Sequence, residues 1–250
     1  MLREAGGVFV ISDPALPLLY FSPGACSQVT LTALEETGVA FETQLIAFMR
    51  GDHRTPEFLA INQKGRVPTL VIRGETLSEN VAILSWLNEE YPDAGLSLPL
   101  KTALDRARFI ADLSYFASGL HPIVTRIRIP TNFAGPENAE AVWRLAVKVM
   151  TDNLADIERR LAEWPWWSGE QWTILDAYLA WVWFRVTGAG LDPAPFRSIA
   201  AHAARHADRP ASHRVAKREA EAVEYLTAHG LQVRFPPMEW QTPDRAAASR

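Results

Sequence analysis

The sequence contains a single cysteine, Cys26, and this scarcity excludes several kinds of protein. One cysteine can form neither an internal disulfide framework nor a cysteine-rich zinc site, and no metal is expected. A chain that folds without disulfides is typical of a reducing compartment, so we expect a cytoplasmic location. The sequence also lacks a run of about 20 uncharged apolar residues, the length that a membrane-spanning helix needs. No membrane partner is therefore expected.

The sequence also has little excess charge of either sign. The 250 residues carry 25 lysine and arginine side chains against 29 aspartate and glutamate side chains, a formal net charge of −4. No block of basic residues is interleaved with aromatic residues, so nucleic acid is not expected as a partner. With 48% hydrophobic residues, a chain of this length can bury a large core in one large domain or two ordinary ones.

Both ends of the sequence are expected to lie outside the folded domains. In residues 1–16 the apolar patch is short and is interrupted by Ser12-Asp13-Pro14, whereas a secretory signal peptide has a longer apolar segment. We therefore interpret residues 1–16 as an N-terminal extension. Residues 231–250 contain Pro236-Pro237 and end mostly in small residues, which is typical of a poorly ordered tail.

Strand and helix patterns alternate in the first hundred residues. Short apolar runs bounded by turn residues predict strands, and apolar residues repeated every three or four positions predict helices. The order strand, helix, strand, helix, strand, strand, helix predicts an α/β domain with a mixed sheet over residues 17–91. The predicted strands span residues 18–21, 41–48, 69–72 and 75–77, and the predicted helices span residues 27–37, 56–61 and 79–91.

The strand pattern disappears beyond a linker at residues 92–99. Residues 100–230 show only helical patterns separated by proline and glycine, so we expect a second, all-helical domain. At the start of its third predicted helix, Thr173 and Asp176 have the spacing of a capping box, and we interpret Asp176 as structural. The five predicted helices span residues 102–129, 137–164, 174–187, 195–206 and 211–229.

The first of three notable turns is Ser22-Pro23-Gly24-Ala25-Cys26-Ser27, which leads into a predicted helix. At a helix N-terminus, the backbone amides and the helix dipole favour a negative charge and lower the pKa of a thiol. Cys26 or Ser27 is therefore a candidate to activate a thiol there. The alternative is that Ser27 only caps the helix and that Cys26 is a small buried hydrophobic residue.

The other two turns carry recognition groups rather than a nucleophile. In the second turn, residues 65–69, the Val67-Pro68 bond is a candidate cis peptide bond. A cis bond would leave the backbone N–H and C=O of Val67 available to pair with an extended peptide. The third turn, residues 77–80, leads into another predicted helix, and Glu79 can bind an ammonium group there. Asn80 and the helix amides can bind the neighbouring carboxylate.

These three turns are expected to converge, because ligands of open α/β sheets bind at the ends of strands. A ligand that satisfies all three turns has a thiol, a peptide backbone and an α-amino-acid end. This description matches glutathione, which we expect as a co-substrate.

The sequence also resembles the glutathione S-transferase family, and it is most similar to the bacterial, cysteine-bearing beta-like class. The similarity extends from about residue 17 to about residue 226 and is strongest in the first half. The order and spacing of the matching stretches carry the resemblance; they are residues 20–27, 35–42, 62–68, 77–84 and 172–178.

The resemblance implies a thioredoxin-like N-terminal domain, an all-helical C-terminal domain and a homodimer. It implies that the glutathione backbone binds at Val67, directly before the cis-proline Pro68. It also implies that the γ-glutamyl head binds at Glu79 and Asn80, with the glutathione thiol near Cys26.

In the second domain, the resemblance implies two further glutathione-binding residues. A histidine from the first long helix can reach the site in this class, and the matching position is His121, with Ser118 one helical turn earlier. Three departures from the family pattern stand out. Asn80 replaces the usual Ser or Thr, Phe21 replaces a frequent Tyr, and Pro122 replaces a frequent basic residue.

The resulting hypothesis is a glutathione transferase that presents the thiolate of reduced glutathione to a hydrophobic electrophile. Conjugation and related ether cleavage, dehalogenation or isomerisation are the reactions that this site would support. One alternative is a monothiol oxidoreductase acting through Cys26, since Val29 occupies the position of a second cysteine in a C-x-x-C motif. Another alternative is a non-enzymatic ligand-binding protein with the same fold.

Overall fold

The computed structural model describes residues 16–232, and their contacts divide them into two compact units. The first unit comprises residues 16–96 together with residues 209–232, and the second comprises residues 97–208. The predicted N-terminal extension, residues 1–16, and the predicted tail, residues 231–250, lie almost entirely outside the described residues.

A four-stranded mixed sheet lies in the first unit, which confirms the predicted α/β layer. The central strand β1 (Leu18–Phe21) pairs in parallel with β2 (Glu42–Leu45) and antiparallel with β3 (Thr69–Ile72). β3 forms a hairpin with β4 (Glu75–Ser78), so the order across the sheet is β2-β1-β3-β4. All four side chains of β1 are apolar or aromatic and buried, as its continuous apolar run predicts.

Three helices follow strands in this segment: α1 (Ser27–Thr37), α2 (Pro56–Ile61) and α3 (Asn80–Glu90). α1 ends at Gly38, whose φ of 72° places it in the left-handed region that commonly ends helices. α2 begins after Thr55, whose hydroxyl accepts a hydrogen bond from the N–H of Phe58 at 3.4 Å. Local sequence signals therefore define the end of α1 and the start of α2.

The core beneath this sheet contains Tyr20. Its ring packs edge-on against Phe58 with 5.6 Å between ring centroids, and burial raises the pKa of its hydroxyl. Since alternate side chains of a strand face opposite sides, Tyr20 and Phe21 point to opposite faces of the sheet, and Tyr20 cannot take the place of a tyrosine at position 21. The cluster also contains Leu18, Ile46, Phe58 and Val67.

The second unit is helical, as predicted. One long helix was expected over residues 102–129, but a π-helical segment, Tyr115–Leu120, interrupts it. A π-helical turn contains an additional residue and disturbs the helical period only locally, so the sequence pattern did not reveal it. The helices are α4 (Ala103–Ser114), α5 (His121–Arg128), α6 (Thr131–Ala134), α7 (Ala139–Glu163), α8 (Ile174–Thr187) and α9 (Arg197–Ala207).

The start of α8 is organised by Asp176, which is fully buried. Its carboxylate accepts hydrogen bonds from the Thr173 N–H at 2.8 Å and from the Trp167 N–H at 2.6 Å. The same carboxylate lies 2.8 Å from the Nε2 atom of the buried His202. This arrangement is the predicted capping box extended by two partners, and it supports a structural role for Asp176.

The last helix, α10 (Pro210–Ala228), belongs to the first unit by its contacts. The sequence patterns group it with the other helices of residues 100–230, whereas the contact-based division falls at residue 209. The physical reason is a charged contact with α1. Glu35 is buried there, and its carboxylate accepts hydrogen bonds from Arg214 at 2.5 Å and Arg218 at 2.6 Å.

Among the helices in residues 16–232, none is both long and apolar enough to cross a membrane.

Candidate functional site

The first turn ends at Cys26, where α1 begins. A hydrogen bond from the Ala25 N–H to the Ser22 carbonyl closes the turn at 3.1 Å. Gly24 has a φ of 69°, a conformation that glycine adopts readily. Cys26 is partly buried and not part of a disulfide, and its Sγ donates to the Val67 carbonyl across 3.6 Å. The thiol of the first turn therefore contacts the second turn.

Ser27, the other candidate for thiol activation, is completely buried. Its hydroxyl accepts a hydrogen bond from the Ser22 N–H and donates one to the Ser22 carbonyl, both across 3.2 Å. The hydroxyl proton is therefore directed at the backbone of the turn. Of the two candidates, only Cys26 has a partly exposed side chain in this structure.

The second turn contains the cis peptide bond predicted at Val67-Pro68. Asn62 supports the chain before it and is 5% exposed. Its Nδ2 donates to the Arg66 carbonyl at 3.0 Å and to the Thr69 hydroxyl at 2.8 Å. Because both bonds cross the turn, Asn62 fixes the path of the backbone on either side of Val67.

Gly65 permits a close backbone approach at the same turn. Its φ is 58°, and a Cβ atom there would lie 2.7 Å from the carbonyl oxygen of His53. A larger residue would therefore have to displace backbone. The ring of His53 stacks on Phe48 with 3.8 Å between ring centroids. Burial, with a smaller contribution from neighbouring Arg54, lowers the pKa of His53 from its ordinary value of 6.5 and so favours the neutral imidazole.

The third turn places Glu79 directly before α3 with a φ of 74° and a ψ of 126°. A residue other than glycine rarely adopts this conformation, and such strain concentrates at ligand-binding sites. The carboxylate is 57% exposed and lies 2.9 Å from the ammonium group of Lys64. An exposed ion pair of this kind contributes little to stability, so a ligand ammonium group can compete with Lys64 for the carboxylate.

Asn80 joins the third turn to the first. It is 6% exposed, and its Nδ2 donates to the Cys26 carbonyl at 3.0 Å. Its Oδ1 accepts a hydrogen bond from the hydroxyl of Thr30, in α1, at 2.7 Å. Together with the contact between Cys26 and Val67, these bonds bring the three turns to one place. The expected convergence of the turns is therefore observed.

The remaining two predicted site residues belong to the second unit. Ser118 lies in the π-helical segment, and its exposed hydroxyl donates to the Ser114 carbonyl at 2.7 Å. His121 begins α5 and packs edge-on against Trp181 with 4.7 Å between ring centroids. Because π-helical backbone intervenes, the two do not have regular α-helical spacing. Their part in glutathione binding stays a prediction.

Four residues of this region were missed from the sequence. Thr30 and Asn62 hold the turns, Lys64 pairs with Glu79, and Glu219 contacts the first turn from α10. Only Asn62 had a local signal, because the stretch that it begins has the composition of a turn.

In residues 16–232, no group of three or more His, Cys, Asp or Glu side chains is arranged to hold a metal ion.

Comparisons with known proteins give the same family for both parts of the chain. The family model described as "Glutathione S-transferase, N-terminal domain" matches residues 23–90. The model described as "Glutathione S-transferase, C-terminal domain" matches residues 140–209. The matched regions include the capping box at Asp176. They also include all three turns, except for Ser22 at the start of the first.

Individual relatives agree with this assignment. Glutathione S-transferase GstA of Escherichia coli O157:H7 is 30% identical over 220 residues, which are 86% of this chain and 99% of the relative. A maleylacetoacetate isomerase of Pseudomonas aeruginosa is 30% identical over 182 residues, 70% of this chain and 84% of the relative. The solved structure of a sphingomonad glutathione S-transferase complexed with glutathione is 33% identical, with a TM-score of 0.71. It matches 81% of this chain and 98% of its own.

Proposed function

This chain belongs to the glutathione S-transferase family, and we propose that its three joined turns hold glutathione with the sulfur at Cys26. The enzyme binds reduced glutathione and presents its thiolate to a hydrophobic electrophile. The observation that carries the assignment of residues is the pair of bonds joining the turns, from Cys26 to Val67 and from Asn80 to Cys26.

Each turn supplies a different part of the recognition. The backbone of Val67, fixed by Asn62, would pair with the peptide backbone of glutathione. The carboxylate of Glu79 would bind the γ-glutamyl ammonium group in place of Lys64. The amides at the start of α3, together with Asn80, would bind the adjacent carboxylate.

Activation of the glutathione thiol is assigned to Cys26 and the N-terminus of α1. A free thiol has a pKa of about 8.5, so only a few per cent is thiolate at neutral pH. Lowering the pKa by about two units, or about 2.7 kcal/mol, makes most of it thiolate. A hydrogen bond donated by the Cys26 thiol and the dipole of α1 both favour the anion. Ser27 would contribute indirectly, by holding the turn through Ser22.

The reaction class follows from what a glutathione thiolate can attack. Conjugation, ether cleavage, dehalogenation and isomerisation share this binding step. The similarity to maleylacetoacetate isomerase supports isomerisation as one of the reactions available. We also propose a cytoplasmic homodimer with a role in detoxification; the scarcity of cysteine supports the reducing compartment.

Titration of bound glutathione tests the role of Cys26. The absorbance of its thiolate is followed against pH in the wild type and in Cys26→Ala, Cys26→Ser and Ser27→Ala. Cys26→Ala should raise the pKa of bound glutathione by about one unit or more, and Cys26→Ser should recover part of the shift because a hydroxyl also donates. An unchanged pKa in Cys26→Ala would contradict the assignment.

A second candidate function is favoured by the partial exposure of the Cys26 thiol next to the turn proposed to bind the glutathione backbone. In a monothiol route, the Cys26 thiolate attacks the sulfur of a glutathione mixed disulfide. The substrate thiol leaves with the electron pair, and Cys26–glutathione remains. Mass spectrometry during turnover separates the two functions. An adduct of about 305 Da on Cys26 indicates the redox route, and its absence indicates the transferase route.

A further inference from the structure

The final helix of the first unit reaches the turn that carries Cys26. The Oε2 atom of Glu219, in α10, accepts a hydrogen bond from the Gly24 N–H at 2.9 Å. These residues lie 195 positions apart in the sequence. A hydrogen bond from a backbone N–H to a carboxylate is roughly twice as strong as one between neutral groups. Gly24 lies two residues before Cys26, so this bond acts on the short segment whose shape determines where the thiol is.

The helix that supplies Glu219 is anchored independently of the turn. Arg214 and Arg218 both donate to the buried carboxylate of Glu35, and Arg214 also donates to the Glu35 carbonyl at 2.7 Å. The guanidinium group of Arg218 lies 4.6 Å from the ring centroid of Phe41. These contacts fix the rotation of α10 one helical turn before Glu219 and beside it. The carboxylate therefore meets the turn from a rigid support.

The opposite side of the turn is held by different groups. Ser27 binds both backbone groups of Ser22, and Asn80 binds the Cys26 carbonyl. Gly24 lies between these two points, and its positive φ makes it the most adaptable residue of the turn. A bond at Gly24 thus restrains the turn at a further point, between Ser22 and Cys26.

We propose that Glu219 is a positioning residue of the glutathione site, which acts by holding Gly24 and thereby fixing Cys26 Sγ against the Val67 carbonyl. The inference rests on the proposed role of Cys26. The bond joins α10 to the chemistry of the first turn, a connection that neither the turn nor the helix indicates by itself.

The test uses the full-length protein and four variants. Glu219→Ala removes the acceptor, and Glu219→Gln removes the charge but keeps a carbonyl oxygen that can accept from Gly24. Because both remove the negative charge, any difference between them reports the hydrogen bond. Glu219→Asp keeps the charge but withdraws the acceptor by one methylene. Glu224→Gln, at an exposed position of the same helix, is the matched control.

Four quantities are measured in each variant: kcat and KM with varied glutathione and a standard aryl halide electrophile, the pKa of the bound thiol, and the melting temperature. Glu219→Ala and Glu219→Asp should lower kcat/KM about tenfold, because a small displacement of a catalytic group has a large effect on rate. Both should also raise the thiol pKa. Glu219→Gln should retain most of the activity, and Glu224→Gln should match the wild type.

Several outcomes would overturn the inference. If Glu219→Ala lowers the melting temperature but leaves the thiol pKa and kcat/KM unchanged well below that temperature, Glu219 is merely structural. If Glu219→Gln is as impaired as Glu219→Ala, the hydrogen bond is not what matters. If Glu219→Ala does not fold, the comparison of the other two variants tests the inference. An activity of Glu219→Asp that is not lower than that of Glu219→Gln would then overturn it. A Cys26→Ala variant with an unchanged thiol pKa would instead contradict the proposed role of Cys26, on which the inference rests.

Discussion

The starts of α1 and α3 in the first unit and the start of α8 in the second unit use their polar side chains in opposite ways. At α8, the buried Asp176 accepts hydrogen bonds from Thr173 and Trp167 and lies against His202, so its carboxylate has internal partners. The helices α1 and α3 directly follow Cys26 and Glu79, whose side chains form no capping bond. Their side chains instead point to a neighbouring turn or to a surface lysine.

The difference lies in which groups are available to bind the first backbone amides of each helix. The first backbone amides of a helix need partners, and a side-chain cap provides them at a gain of about 1 kcal/mol. A start that gives up this cap keeps its amides and dipole for an anion. The cap of α8 therefore stabilises its helix, whereas the starts of α1 and α3 would leave their amides to the glutathione proposed above.

The largest effect is expected from removing the internal cap of α8. Asp176→Ala leaves the buried Thr173 and Trp167 N–H groups and His202 without their acceptor, so the free energy of unfolding should fall by about 3 kcal/mol. Urea denaturation measures the change. The thiol pKa of bound glutathione should stay at the wild-type value in the folded fraction. A shifted thiol pKa would break the distinction between the two kinds of helix start.

An intermediate effect of opposite sign is expected at α3. Glu79→Gly removes the strain of a positive φ, so the free energy of unfolding should rise by about 1 kcal/mol while glutathione affinity falls. Glu79→Gln is the control, since it keeps the strain and removes only the charge. It should weaken glutathione binding without stabilising the protein. Denaturation together with calorimetric titration measures both quantities. A destabilised glycine variant would show that Glu79 is not strained.

The smallest effect is expected at α4, which has an exposed capping box. The Thr102 hydroxyl and then the Thr102 N–H lower the pKa of Asp105 from its ordinary value of 3.8. Because the folded-state pKa is the lower one, the stabilisation is present above pH 3.8 and is lost as the pH falls through the folded-state value. Unfolding of Asp105→Asn and the wild type, compared at pH 7 and at about pH 2, should show a small difference that disappears in acid. A difference that persists in acid would contradict a charge-based cap.

Much of the fold could be predicted because local signals mark its boundaries. β1, β3, α2 and α8 begin and end at the predicted residues. Each is bounded by proline, glycine or a capping residue, which act within a few positions of the chain. The π-helical segment after α4 has no such marker, and it was therefore read as part of a continuous helix.

In the site, too, the features marked by local sequence signals could be predicted and the others could not. Each of the three turns carries a local signature, so their positions could be predicted from the sequence. The orientation of Ser27 could not, because it depends on how the turn closes onto Ser22. The charged contacts of α10 could not be predicted either, because Glu35 and Arg214 are 179 positions apart and many other acidic and basic residues could pair.

The discontinuity of the first unit has a consequence for how the protein is made. The strands and α1 are translated first, but their partners on α10 leave the ribosome only after the whole of residues 97–208. Glu35 therefore lacks its two arginine partners, and Gly24 lacks its carboxylate, until α10 has left the ribosome. The turn that carries the thiol can reach its final form only after residues 97–208 have been made.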